Sequence, residues 1–113
     1  MPHAELKYSA DLEIDAEKVL QLIEERINVH DPAAGECKGR AYPSNVYHHT
    51  HILVELSLLT KPHRDAAFSE ALREDIERAI KECLCQRCYF SLAIKYSDAL
   101  YMTNVFDPKS AEV

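Results

Sequence analysis

Glycine is nearly missing from this chain: Gly35 and Gly39 are the only two among 113 residues. The backbone therefore has few highly flexible points, and no Gly-rich loop is present to cradle a phosphate. No low-complexity stretch or linker divides the sequence, so residues 1–113 are expected to form one domain. Nowhere do the roughly 18 apolar residues of a membrane span run together. The opening Met1-Pro2-His3-Ala4-Glu5-Leu6-Lys7 is unlike a signal peptide, because Glu5 and Lys7 interrupt the apolar run such a segment needs. The expected compartment is the cytosol, where Cys37, Cys83, Cys85 and Cys88 would be reduced. Positive charge is also scarce. Thirteen Lys and Arg against 19 Asp and Glu leave a net charge of −6, which argues against nucleic acid or an anionic membrane as a partner through the overall field. The Ser/His/Asp spacing of a nucleophilic hydrolase is absent as well.

What is present is a regular alternation of strand and helix patterns. Residues 3–8 alternate, with Ala4, Leu6 and Tyr8 on one face and His3, Glu5 and Lys7 on the other, which predicts a half-buried strand. Ala16, Val19, Leu20, Ile23 and Ile27 form a stripe at helical spacing over about Asp15 to Val29. Asp15 is a candidate N-cap, and His30-Asp31-Pro32 is the stop. Residues 37–47 read as a weaker strand that is at an edge, bulged, or finished near Ala41, because Pro43 cannot donate to a ladder. His51 to Leu59 carries apolar residues on both faces and is expected to be central and covered on both sides. Phe68, Leu72, Ile76, Ala79, Ile80 and Cys83 predict a second helix over about Asp65 to Cys83, and residues 89–96 a fourth strand.

The order is β-α-β followed by β-α-β. This predicts an α+β fold with a four-stranded mixed sheet, two parallel crossovers and both helices on one face. The halves look like a duplication. The other sheet face is expected to be apolar and therefore to drive self-association. The tail from Asp98, with Tyr101, Val105 and Phe106, is too apolar to stay in water and is expected to pack on the domain or a neighbour.

Pro2 is the sharpest chemical feature. If Met1 is removed, a rigid secondary amine starts the first strand. An α-amino group titrates near pH 8, and burial or nearby cations push it toward neutrality, where a general base works best. Many chains begin Met-Pro for processing reasons alone, so Pro2 needs its context. Arg40 and Arg64, taken by themselves, are most simply surface or salt-bridging residues. His3, on the other face of the strand from Pro2, is expected to make a structural hydrogen bond. Cys83-Leu84-Cys85-Gln86-Arg87-Cys88 lacks the paired C-x-x-C spacing of a zinc ribbon, and no metal site is assigned there. His48, His49 and His51 read as a solvated turn.

The Met1-Pro2-His3 start, Tyr8-Ser9 in the first strand, the Gly39-Arg40 pair, Arg64 ahead of the second helix and the short aromatic tail together resemble the tautomerase superfamily. The likeness is greatest to its 5-carboxymethyl-2-hydroxymuconate isomerases and covers roughly residues 2–106. The resemblance implies a cofactor-free isomerase and a homotrimer. Pro2 would move a proton in a small anionic dienol or unsaturated 2-oxo acid, while Arg40, Arg64 and His3 contact the substrate. Arginine suits that role because it grips carboxylates with two parallel bonds. Where the family pattern has Gly-Arg before the second helix, this chain has Lys61-Pro62-His63-Arg64. Two alternatives stay open: a non-catalytic or regulatory oligomer of the same fold, and a metal-binding module built on Cys83, Cys85 and Cys88.

Overall fold

The computed structural model describes residues 1–109. Its elements are β1 (His3–Ser9), α1 (Ala16–His30), β2 (Lys38–Ser44), β3 (His51–Leu58), α2 (Ala66–Lys81) and β4 (Tyr89–Tyr96). The strands form one sheet in the order β2-β1-β3-β4. β1 runs parallel to β2 and β3 parallel to β4, while β1 and β3 meet antiparallel at the centre. Two β-α-β units therefore lie side by side, as the element order implied.

The core is the layer between sheet and helices. Ala4 and Leu6 of β1 and Ile52, Val54, Leu56 and Leu58 of β3 are buried against Val19, Ile23 and Ile27 of α1 and Leu72, Ile76 and Ile80 of α2. Each large aliphatic side chain so buried contributes about 1.5–3 kcal/mol. Both helices start on an aspartate. Asp15 accepts the Lys18 N–H at 3.2 Å and Asp65 accepts the Phe68 N–H at 2.9 Å, which satisfies donors that the first turn leaves free. α1 ends where Asp31 donates its N–H to the Ile27 carbonyl, one residue ahead of Pro32.

A buried carboxylate joins the helices. Asp75 of α2 accepts from Arg26 at 2.9 and 2.7 Å and contacts His30 at 2.7 Å, both on α1. It lies among the buried residues of α2, beside the apolar stripe.

Of the alternatives open for β2, the edge position holds: the strand continues to Ser44, with Pro43 paired opposite Tyr8. As an edge strand it loses nothing by lacking that donor. One expectation is corrected: the open sheet face is not apolar. It carries a ladder of charges in which Arg40 meets Glu5 at 2.6 Å, Lys7 meets Glu5 at 3.3 Å and Glu55 at 2.9 Å, and Lys95 meets Glu55 at 2.5 Å. The reason is strand parity. β1 places His3, Glu5 and Lys7 on this face, and the pairing sets Glu55 directly opposite Glu5. Leu53, on the same face of β3, is half-buried.

Candidate active site at the start of the first strand

Pro2 sits immediately before β1, at the middle of the sheet's end. Its ring is fully buried, and its carbonyl accepts the Lys38 N–H at 2.8 Å. The ring is thus held by burial and by the first rung toward β2. The antiparallel pairing closes with His3 against Ser57, so the chain leaving β3 at Leu58 departs beside Pro2. That departing loop carries Lys61 and Arg64. The terminal amine of Met1 is held below its ordinary pKa, first by burial and then by the charges of Lys61 and Arg64. This end of the sheet is therefore a place where a nitrogen is disfavoured as a cation.

Arg64 is close enough to act through its charge, but its hydrogen bonds are committed. The side chain is 2% exposed. Its Nε and Nη2 donate to Asp31 Oδ2 at 3.0 and 2.8 Å, and its Nη1 donates to the Leu59 carbonyl at 2.8 Å. His63 contacts the same Asp31 oxygen at 2.8 Å. The His63 hydrogen bond, opposed by burial and aided by Arg64, holds the Asp31 carboxyl at about 2. The group pins the 59–65 loop to the end of α1.

Arg40 and His3 come together elsewhere, on the open face. Arg40 lies opposite Glu5 in the ladder. It donates Nη2 to Glu5 at 2.6 Å and Nε to the Tyr42 hydroxyl at 2.8 Å, and its Nη1 lies 3.4 Å from His3 Nδ1. Within one subunit the sheet separates this pair from the buried Pro2 ring. Of the four residues singled out in the sequence, the fold groups Pro2 with Arg64 and Arg40 with His3.

No family model matches the sequence, and no curated protein matches it. Solved structures do match. A 5-carboxymethyl-2-hydroxymuconate delta-isomerase superposes with a TM-score of 0.72 over 100% of this chain and 93% of its own, at 17% identity. A 5-carboxymethyl-2-hydroxymuconate isomerase from Deinococcus radiodurans R1 gives 0.73 over 99% and 94%, also at 17% identity. A fused 4-OT symmetric trimer gives 0.72 over 96% and 98%, at 12% identity. The chain has the tautomerase fold. At these identities the likeness is one of architecture.

Lys61 and Lys95, to which the sequence reading gave no role, and Tyr101, named there only as part of the apolar tail, join the Pro2 end of this tautomerase fold. Lys61 is half-buried, and among the described residues it meets no carboxylate at ion-pair distance. Its only advance signal was its place in Lys61-Pro62-His63-Arg64, the departure from the family pattern. Lys95 and Tyr101 help line a cavity of about 150 Å³ together with Ser57, Leu58, Tyr96 and Ser97. Tyr101 is brought there by the tail, which also passes Met1, with the Thr103 hydroxyl 4.0 Å from its sulfur.

The cysteines and histidines lie apart from this end. Cys83 Sγ donates to the Ala79 carbonyl at 3.6 Å, Cys85 is exposed, and burial, then Glu24, push the Cys37 thiol up to about 11. His49 adopts a φ of +64°, and its carbonyl is 2.8 Å from His51 Nδ1. Among the described residues, no three His, Cys, Asp or Glu side chains are grouped to hold a metal. No described helix is long and apolar enough to cross a membrane.

Proposed function

We propose that the mature chain begins at Pro2 and works as a cytosolic, homotrimeric tautomerase. In this reading it moves a proton within a small anionic enol or unsaturated 2-oxo acid, of the kind represented by 5-carboxymethyl-2-hydroxymuconate. The observation that carries the proposal is the setting of the position-2 nitrogen: a buried pyrrolidine ring at a sheet end where burial and two cations already disfavour the charged form of the amine next to it. The same influences act on a prolyl amine one residue further in. Neutral at working pH, that nitrogen takes the enol hydroxyl proton. The O–H pair becomes the carbonyl π bond, the carbon–carbon π pair takes a proton from the ammonium at the far carbon, and the base is restored. The substrate's formula does not change, and the base is part of the chain.

Arg64 contributes through its field rather than by contact, because Asp31 and Leu59 occupy its donors. Arg40 and His3 reach a ligand only from a neighbouring subunit, which ties their role to the assembly. The fused 4-OT neighbour is a trimer, and the exposed apolar tail of this chain supports association.

A second reading, a non-catalytic oligomer of the same fold, draws support from one observation: both arginines already hold carboxylates. Phenylenolpyruvate ketonisation by wild type and by Pro2→Ala separates the two, alongside an intact mass showing whether Met1 is gone. The enzyme reading expects processed protein and a Pro2→Ala rate lower by at least about a hundredfold, the contribution of a positioned general base. Equal rates, or a retained Met1, leave the non-catalytic reading.

A further inference from the structure

We infer that the end of the sheet opposite Pro2 carries a separate binding site, a cavity of about 370 Å³ that takes the phosphate group of a small molecule. Its walls are His49 and Thr50, from the turn ahead of β3, and Arg87, Cys88 and Tyr89, where the loop after α2 enters β4. The His51 N–H donates to the Ser9 hydroxyl at 3.0 Å, so this turn lies at the far end of β1. The length of that strand, roughly 20 Å at about 3.4 Å per residue, separates the cavity from Pro2. The inference stands apart from the reading above.

In a chain with 19 acidic residues, no carboxylate lines this cavity. Its walls hold donors instead. Arg87 meets no carboxylate at ion-pair distance among the described residues. The peptide N–H groups of His49, Thr50, Arg87 and Cys88 find no backbone acceptor among those residues. His49 holds a φ of +64°. A left-handed residue in a turn lets neighbouring N–H groups converge on an anion, and a residue with a Cβ stays there only where its surroundings enforce it.

The surroundings do enforce it. The His49 carbonyl is 2.8 Å from His51 Nδ1, and its ring stands edge-on to Tyr89 with centroids 6.1 Å apart. The Tyr89 N–H donates to the Thr50 carbonyl at 2.9 Å. The Gln86 side chain accepts the Glu13 N–H at 2.6 Å and donates to the Asp11 carbonyl at 3.1 Å. Both loops are thus held before a ligand arrives, which lowers the ordering cost of binding. One carboxylate stands behind the wall: Asp11 accepts the Thr50 hydroxyl at 2.5 Å and so fixes that residue.

Unmet donors call for a ligand rich in acceptors. Because they come from two loops, its acceptors must diverge. The tetrahedral oxygens of a phosphate do so, whereas a planar carboxylate matches a single fork. The volume leaves room beside the phosphate for a small organic group.

The test titrates full-length protein with inorganic phosphate, phenyl phosphate and benzoate, followed by amide NMR spectra and calorimetry at low salt. Phenyl phosphate is expected to shift the amides of His49, Thr50, Arg87 and Cys88 together and saturably, and benzoate to bind at least about tenfold more weakly. Inorganic phosphate binding as tightly as phenyl phosphate assigns the free ion as ligand; weaker binding assigns an ester. Arg87→Gln should weaken phenyl phosphate about ten- to a hundredfold, the worth of one hydrogen bond to a charged group. His49→Gly suits the positive φ, so it should keep the melting temperature while also weakening binding. Shifts that never saturate, benzoate binding as well as phenyl phosphate, or wild-type affinity in both folded variants would overturn the assignment.

Discussion

At the scale of single residues, the decisive fact is that a buried arginine is defined by its partner. Arg64 reads in sequence as a loop cation available to a substrate. In the fold its side chain is 2% exposed and locked to an aspartate exposed by only 6%. Nothing in the order of residues announces that Asp31, which reads as part of a helix stop, will fold back beneath a residue 33 positions later. Removing that carboxylate strands a guanidinium in the interior, which typically costs about 3–5 kcal/mol. Asp31→Ala should therefore lower the unfolding free energy measured in urea by about that amount at pH 7. The same carboxyl sets an acid limb. Its folded pKa of about 2 lies below the unfolded value of 3.8, so its contribution is complete above pH 4 and lost as pH falls toward 2. Wild type and Asp31→Ala should converge in stability between pH 4 and pH 2 in urea titrations. Parallel curves across that window would show that the pair does not stabilise the fold.

At the scale of elements, much was legible, because periodicity is a local property. The stripes of α1 and α2, the Asp15 cap, the alternation of β1 and the central place of β3 all follow from spacing. What spacing does not carry is which face a polar residue will meet. Asp75 is buried in α2 because Arg26 and His30 of α1 converge on it, and the open sheet face is charged because four strands place acids and bases in register. Gly39 belongs to this scale too. It marks the Gly-Arg pair of the resemblance, yet its physical task here is packing. A Cβ at position 39 would lie 2.7 Å from Leu20 Cδ2 and 3.3 Å from Leu20 Cγ, so the missing side chain lets α1 lie close against β2. Gly39→Val should destabilise by about 1–3 kcal/mol, the usual effect of overpacking. Shortening the obstacle in Leu20→Ala/Gly39→Val should recover part of that loss, and a double-mutant cycle in chemical denaturation measures the coupling. Strict additivity would mean that the close approach is tolerated by movement elsewhere.

At the scale of the whole molecule, the densest run of exposed apolar side chains lies on one segment. Leu100 is 93% exposed, Met102 74%, Val105 81% and Phe106 76%, all on the segment after Asp98. The sequence reading expected this tail to be covered by the domain or by a neighbour. The single subunit covers little of it: Tyr101 reaches the cavity at the ends of β3 and β4, and Thr103 reaches Met1. In the assembly proposed above a neighbour would cover the rest, and the charge ladder is consistent with that. The ladder satisfies its own charges within one sheet, so it supplies little drive for association, and salt bridges of this exposure are weak and screened. In the proposed assembly the apolar tail would supply the drive, which salt does not screen. Wild type should therefore sediment as a multiple of its 12.9 kDa chain at both 50 mM and 1 M NaCl. Replacing Leu100, Val105 and Phe106 together by serine should yield a folded monomer, because none of the three belongs to the buried core. If the assembly instead dissolves in high salt while the serine variant stays oligomeric, the charged sheet face and not the tail holds the subunits together. The position-2 site would then be completed across the ladder, bringing Arg40 and His3 toward a neighbour's ligand.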